Sequence, residues 1–190
     1  PEKRIDLLLE AVARLPMSAP APLLTIVGEG AERESLIGLA AHLGIAHLVH
    51  FAGRVESSTE LWRLLGGAKV AVHPSAREGF GLFPLEAMAA GLPVVACHSP
   101  DSAVAELVRD GVEGLVTDPT PRALASALQR LLLNEPLRLR QASAAARRAA
   151  DYDWDRVALR AERVFYGAVA AGARAAGARG AAPADPGARA

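Results

Sequence analysis

The 190-residue chain balances 21 lysines and arginines against 21 aspartates and glutamates, with 51% hydrophobic and only 4% aromatic residues. A net charge of zero gives no overall field to attract nucleic acid or anionic lipid, and nucleic acid is not expected as a partner. A single cysteine, Cys97, excludes an intrachain disulfide framework and fits a reducing compartment, and no apolar run reaches the length of a membrane span.

The length allows one domain with a sizeable core, alone or with a tail. Because the chain opens at Pro1 with neither methionine nor signal peptide, its true start is expected upstream. Ile5, Leu8, Leu9, Val12 and Leu15 recur at helical spacing, so the first element is a helix. Leu23–Val27 reads as a strand ending in Gly28-Glu29-Gly30, and a helix over 31–43 is closed by Gly44. The G-x-G hints at a dinucleotide fold, but Arg33 occupies the third glycine position, so a tight β–α turn is the favoured reading.

Leu48–Ala52 forms the next strand, followed by Gly53-Arg54-Val55. Ser57 and Glu60 have the spacing of a capping box for a helix over 58–65, whose Trp62 is expected in the core. Gly66-Gly67 then breaks the helix ahead of the strand 70–73.

At His73-Pro74 that strand must end, since proline cannot donate to the ladder. Ser75 to Gly81 reads as a polar loop with glycines at 79 and 81. Pro84 suits a first helical position, Glu86 a first turn, and Gly91 a C-terminal cap, with Pro93–Cys97 as the next buried strand. In an open α/β sheet this loop lies at the carboxyl ends of parallel strands, where ligands bind. Free amides around Gly81 and Leu82 suit phosphate, and Gly79 and Gly81 let a ligand approach the backbone. Two carboxylates suit phosphate poorly and sugar hydroxyls well, so the residues describe a sugar-nucleotide site. A helix-dipole role is the plain alternative for a glutamate in a first helical turn, as Glu86 is read here.

Beyond Cys97, a loop 98–102, a helix start at Glu106, a turn 109–114 and a strand 114–116 are expected. Thr120 and Pro121 cap a helix to Leu133, Asn134-Glu135-Pro136 is read as a break, a helix follows over 137–150, and Asp153-Trp154-Asp155 starts a last helix through Tyr166. From Gly167 onward, alanine, glycine, arginine and proline dominate without period, which reads as a disordered tail over 167–190. The fold expected for 1–166 is α/β, a Rossmann-like parallel sheet with helices on both faces. His42, His47, His50, His73 and His98 fit no common ligand spacing, so no metal is expected.

Glu78, seven residues, then Glu86, set in E-G-F-G-L-F-P-L-E-A-M-A-A-G-L-P-V-V-A, resembles the signature of glycosyltransferase family 4. These are retaining enzymes of the GT-B fold, and the stretch from about Lys3 to Tyr166 is similar to their C-terminal, donor-binding domain. The resemblance implies a preceding strand that is absent here, together with an N-terminal GT-B domain that binds the acceptor. It implies that Lys3 stabilises the donor diphosphate, although Arg4 stands where the family has glycine. Gly28 and Gly30 would line the diphosphate end of the cleft, and backbone at Arg54 and Val55 would meet the base. Gly79, Phe80, Gly81 and Leu82 would supply the loop contacts.

Glu86 would hold the ribose hydroxyls. Glu78, the expected catalytic residue, would hold donor-sugar hydroxyls near the anomeric carbon, a positioning role rather than a nucleophilic one. The partners implied are a nucleotide-sugar donor and an acceptor glycan, lipid or small molecule, with no cofactor or metal. A cytoplasmic location follows, with peripheral association at the inner membrane face open. This stretch alone is expected to be incomplete and inactive as a transferase. Alternatives are a non-catalytic nucleotide-binding half-domain, a GT-B epimerase and, disfavoured by Arg33, a dinucleotide oxidoreductase.

Overall fold

The apolar runs of this sequence are short and rich in valine and alanine, and in the computed structural model they pair only in parallel. Residues 2–16 and 22–180 are described. The elements run α1 (Ile5–Val12), β1 (Leu24–Val27), α2 (Arg33–His42), β2 (Val49–Gly53), α3 (Ser58–Gly66), β3 (Ala71–His73), β4 (Arg77–Glu78) and α4 (Leu82–Ala89). They continue through β5 (Val94–Cys97), β6 (Asp101–Ser102), α5 (Val104–Leu107), β7 (Gly114–Thr117), α6 (Pro121–Leu133), α7 (Glu135–Ala149) and α8 (Trp154–Gly180).

Within residues 1–150, the first of two compact units, β5 lies at the centre of the sheet β3-β5-β7, with Val95 opposite Val72 on one side and Leu115 on the other. All four β5 side chains are buried, as a strand covered on both faces requires. Alternation along it divides the core. Val95 and Cys97 join the cluster built by Leu7, Leu8 and Leu9 of α1, Leu115, and Leu124, Leu128 and Leu131 of α6. Val94 and Ala96, equally buried, point to the other face, where α4 packs against α7. The expected α/β parallel architecture is what forms.

A second sheet pairs β1 with β2, Leu24 opposite Val49. It is separate from β3-β5-β7, and β4-β6 is a third, two-residue ladder. Among the described residues no strand precedes α1. Instead α1 spans the break, packing on both α2 and α6.

Several local expectations are revised. Ser57 is the N-cap of α3 but makes no side-chain capping bond, and Trp62, 46% exposed, is not a core residue. The expected break narrows to Asn134 alone: its Oδ1 accepts from the Leu137 amide and α7 starts at the next residue, with Pro136 in the first turn, where its missing N–H costs nothing. The second unit, residues 151–190, contains α8, with Asp151 taking ion pairs from Arg156 and Arg160. The domain boundary expected after Tyr166 coincides with no element end. α8 runs on to Gly180 because alanine and arginine are strong helix formers, so residues 167–180 are helical rather than the expected disordered tail. Residues 181–190 lie outside the described ones. No helix among the described residues is long and apolar enough to cross a membrane.

Candidate functional site at the end of strand β3

The parallel strand β3 delivers its last residue, His73, to the carboxyl edge of the sheet, and Pro74 turns the chain away. The loop that follows is tied at several points. The Ala76 amide donates to the Glu2 carbonyl at 2.9 Å, and the Ser99 hydroxyl donates to the Ala76 carbonyl at 2.5 Å. The Glu78 carbonyl accepts from the Ala103 amide at 2.9 Å, beside the β4-β6 ladder that pairs Glu78 with Ser102. This ladder is absent from the sequence reading: two-residue strands carry no periodicity to detect.

With its backbone fixed this way, Glu78 holds its carboxylate between two cationic or potentially cationic groups. Lys3 Nζ donates to Glu78 Oε2 at 2.9 Å, and His73 Nε2 lies 3.3 Å from the same oxygen. The Lys3 side chain is 63% exposed, against 19% for Glu78 and 7% for His73. The Lys3 hydrogen bond holds the Glu78 carboxyl below its usual range; partial burial works the other way, while the charges of Lys3 and His73 and the Gly81 amide lower it further. Burial pushes the His73 imidazole down; the Glu78 charge offsets part of that, and Lys3 adds to the lowering. His73 is therefore neutral near pH 7, and Glu78 is ionised.

Gly81 ends the loop in the left-handed region, φ 93° and ψ 58°, as the N-cap of α4. A Cβ there would lie 3.2 Å from Val104 Cγ2 and 3.4 Å from Pro84 Cγ, whereas one at Gly79 would meet open space. The helix begins at Leu82, earlier than Pro84 suggested. Glu86 is thus the fifth residue of α4, and no acidic residue occupies the first turn. That position weakens a dipole explanation for Glu86, since the effect fades beyond the first turn. Glu86 is half-buried and is not among the groups that shift or bond the Glu78 carboxylate. Phe80 and Leu82 are exposed.

The turns after β1 and β2 meet at a second place. Gly28, at φ 123°, donates its amide to the Gly53 carbonyl at 2.7 Å. Gly30 and Arg54 are exposed next to this contact, and Val55 is half-buried. The structure therefore gathers Lys3, His73, Glu78 and Gly81 in one neighbourhood and Gly28, Gly53, Arg54 and Val55 in another. His73 is the residue that sequence reasoning undervalued. Its only signal was a histidine at a strand end, five positions before Glu78. A hollow of about 550 Å³ between α1 and α2, lined by Glu10, Arg14, Leu39 and His42 among others, holds none of these residues. Among the described residues no three of histidine, cysteine, aspartate and glutamate converge as a metal site would.

Comparison with known proteins assigns the family. The model of Glycosyl transferases group 1 matches residues 1–148. A glycogen synthase of Mycobacterium tuberculosis is 36% identical over 169 residues, which cover 88% of this chain and 40% of that relative. Among solved structures, sucrose-phosphate synthase from Thermosynechococcus elongatus superposes with a TM-score of 0.77 at 30% identity, over 90% of this chain and 43% of the other. Anabaena Alr3699/HepE, determined in complex with UDP and glucose, superposes with a TM-score of 0.75 at 27% identity, over 89% of this chain and 46% of the other. This chain thus spans less than half the length of each of these proteins, and it belongs to the group 1 glycosyl transferases, with the α/β fold shared by GT-B glycosyltransferases.

Proposed function

We propose that this chain is the donor-binding half of a retaining glycosyltransferase, taking a nucleoside-diphosphate sugar whose glycosyl group passes to an acceptor hydroxyl. The observation that carries the reading is the convergence of Lys3 and Glu78 at 2.9 Å where β3 ends, beside the left-handed Gly81 that opens α4. A cation from the segment before α1 then meets an ionised carboxylate and the first amides of a helix at one loop. The amides and Lys3 can stabilise charge growing on a leaving diphosphate, which is the differential stabilisation that accelerates transfer. Glu78 is assigned the donor-sugar hydroxyls, near the anomeric carbon. Glu86, beyond the first helical turn, is assigned the ribose hydroxyls. Gly28 and Gly30 are assigned the diphosphate end, Arg54 and Val55 the base, and Phe80, Gly79 and Leu82 the loop surface around the sugar.

The Anabaena neighbour, solved with UDP and with glucose, supports a uridine nucleotide as the first donor to try. No metal or other cofactor enters the proposed chemistry. The acceptor, a glycan, lipid or small molecule, would be supplied by a second domain, so nucleotide binding rather than transfer is the property proposed for this stretch alone. A cytoplasmic setting, soluble or at the inner membrane face, is part of the same proposal. The test is a thermal-shift screen of this chain against UDP-, GDP- and ADP-sugars and their free diphosphates. A melting point raised by one nucleotide series supports the reading, and one unmoved by any of them at millimolar concentration overturns it.

A further inference from the structure

We propose that His73 is the positioning residue for Glu78: a buried imidazole that keeps the carboxylate aimed when the lysine leaves it. This rests on the donor-site reading above and adds a residue to it. His73 closes β3, whose register on β5 fixes its backbone. Its ring lies 6.2 Å from the Phe83 ring, tilted by 32°, and the residue is only 6% exposed. Its Nε2 lies 3.3 Å from Glu78 Oε2 and has no hydrogen-bond partner among the described residues. Polar nitrogens are not left buried and unpaired without cause, and a small turn of the carboxylate converts this approach into a bond. The titratable and charged groups facing the ring are Glu78 and Lys3.

Lys3 is the other tie on Oε2, but it is exposed, and exposed ion pairs order a side chain weakly. On the proposed role it also turns to the diphosphate when donor binds. At that moment His73 is the side chain that remains to hold Glu78, alongside the Gly81 amide. A neutral imidazole protonated at Nε2 serves here, because it donates without itself competing for phosphate.

The test compares wild type, His73→Phe and His73→Gln, the last of which sets an amide nitrogen close to where Nε2 stands. Calorimetric titration uses UDP and UDP-glucose, with thermal melts confirming that each variant is folded. His73→Phe is expected to bind UDP within about twofold of wild type and UDP-glucose about tenfold more weakly, while His73→Gln stays within about threefold for both. Equal loss of both ligands, or loss of neither, in folded His73→Phe overturns the proposal. Imidazole ¹⁵N spectra at neutral pH supply an arm that needs no nucleotide. Nε2 is expected to carry the proton, and its resonance to move in Glu78→Ala; an unprotonated Nε2 or an unmoved resonance also overturns it. Failure of wild type to bind either nucleotide would instead sink the donor-site reading, leaving the spectra to decide the His73–Glu78 tie.

Discussion

Lys3 and Glu78 are 75 positions apart in the chain, yet the ammonium and the carboxylate meet at 2.9 Å. The pair closes the loop after β3 onto the segment that leads into α1. With the lysine 63% exposed, Lys3→Ala should lower stability by no more than about 1 kcal/mol. The larger change should be in protonation. Lys3 is the first cause of the lowered Glu78 pKa, so in Lys3→Ala the carboxyl should titrate at higher pH, which carboxyl ¹³C spectra report. A depressed folded-state pKa contributes stability above the unfolded value of 4.5 and loses it as pH falls through the folded one. The variant should therefore differ from wild type less in acid than at pH 7.

Arg4 carries the only positive φ outside glycine among the described residues, 49°. A side chain in the left-handed region costs roughly 1 kcal/mol, set against an Arg4–Asp6 ion pair that is half-exposed. Arg4→Gly should raise stability by about 0.5–1 kcal/mol in urea denaturation. A loss of similar size would show that the ion pair outweighs the strain.

Gly79 and Gly81 look equivalent in the sequence and should behave differently when substituted. Gly81→Ala must hold a positive φ and press its Cβ to within 3.2 Å of Val104 Cγ2, so a loss of about 2 kcal/mol is expected. Gly79→Ala meets open space at an ordinary φ and should cost less than about 0.5 kcal/mol. Gly114 is stricter than either. A Cβ there would overlap the Val94 backbone, and Gly114→Ala should yield no folded protein in a solubility and circular-dichroism assay.

Glu113 is wholly buried and bound by the Arg109 guanidinium and by the Arg109 amide at 3.0 Å. Burial pushes its carboxyl up, but the hydrogen bonds and charge of Arg109 outweigh that and leave it low. Glu113→Ala takes the acceptor from the Arg109 amide and the ion pair from its guanidinium, and should destabilise by about 2 kcal/mol. Because the folded-state pKa is depressed, this stabilisation is complete above pH 4.5 and fades below it. Urea midpoints of wild type and Glu113→Ala should therefore converge as pH falls through the acid range.

What could be read in advance follows from where information is local. Strand β5 and its turn at Gly91 were legible because five apolar residues between a glycine and a polar loop leave few alternatives. That Gly81 rather than Gly79 takes the left-handed region was not legible, because the two look equivalent in the sequence. Contacts between distant segments were not legible either: nothing near Lys3 announces Glu78, and nothing near Arg77 announces the ladder to Asp101. Trp62 misled because apolar size suggests burial, whereas α3 leaves it half in water. Helix α8 misled in the other direction, since alanine and arginine without a hydrophobic period still favour helix. The separation of β1-β2 from β3-β5-β7 was equally unreadable, because pairing is a property of strands together.

The central claim is that the loop and the first turns of α4 hold a nucleotide through Glu86. Calorimetric titration of UDP into wild type and Glu86→Ala tests it most directly. The account expects wild-type binding and a loss of about tenfold or more in the variant, the effect of removing a charged hydrogen-bond acceptor from two hydroxyls. Equal affinity in the two proteins, both folded, would contradict it.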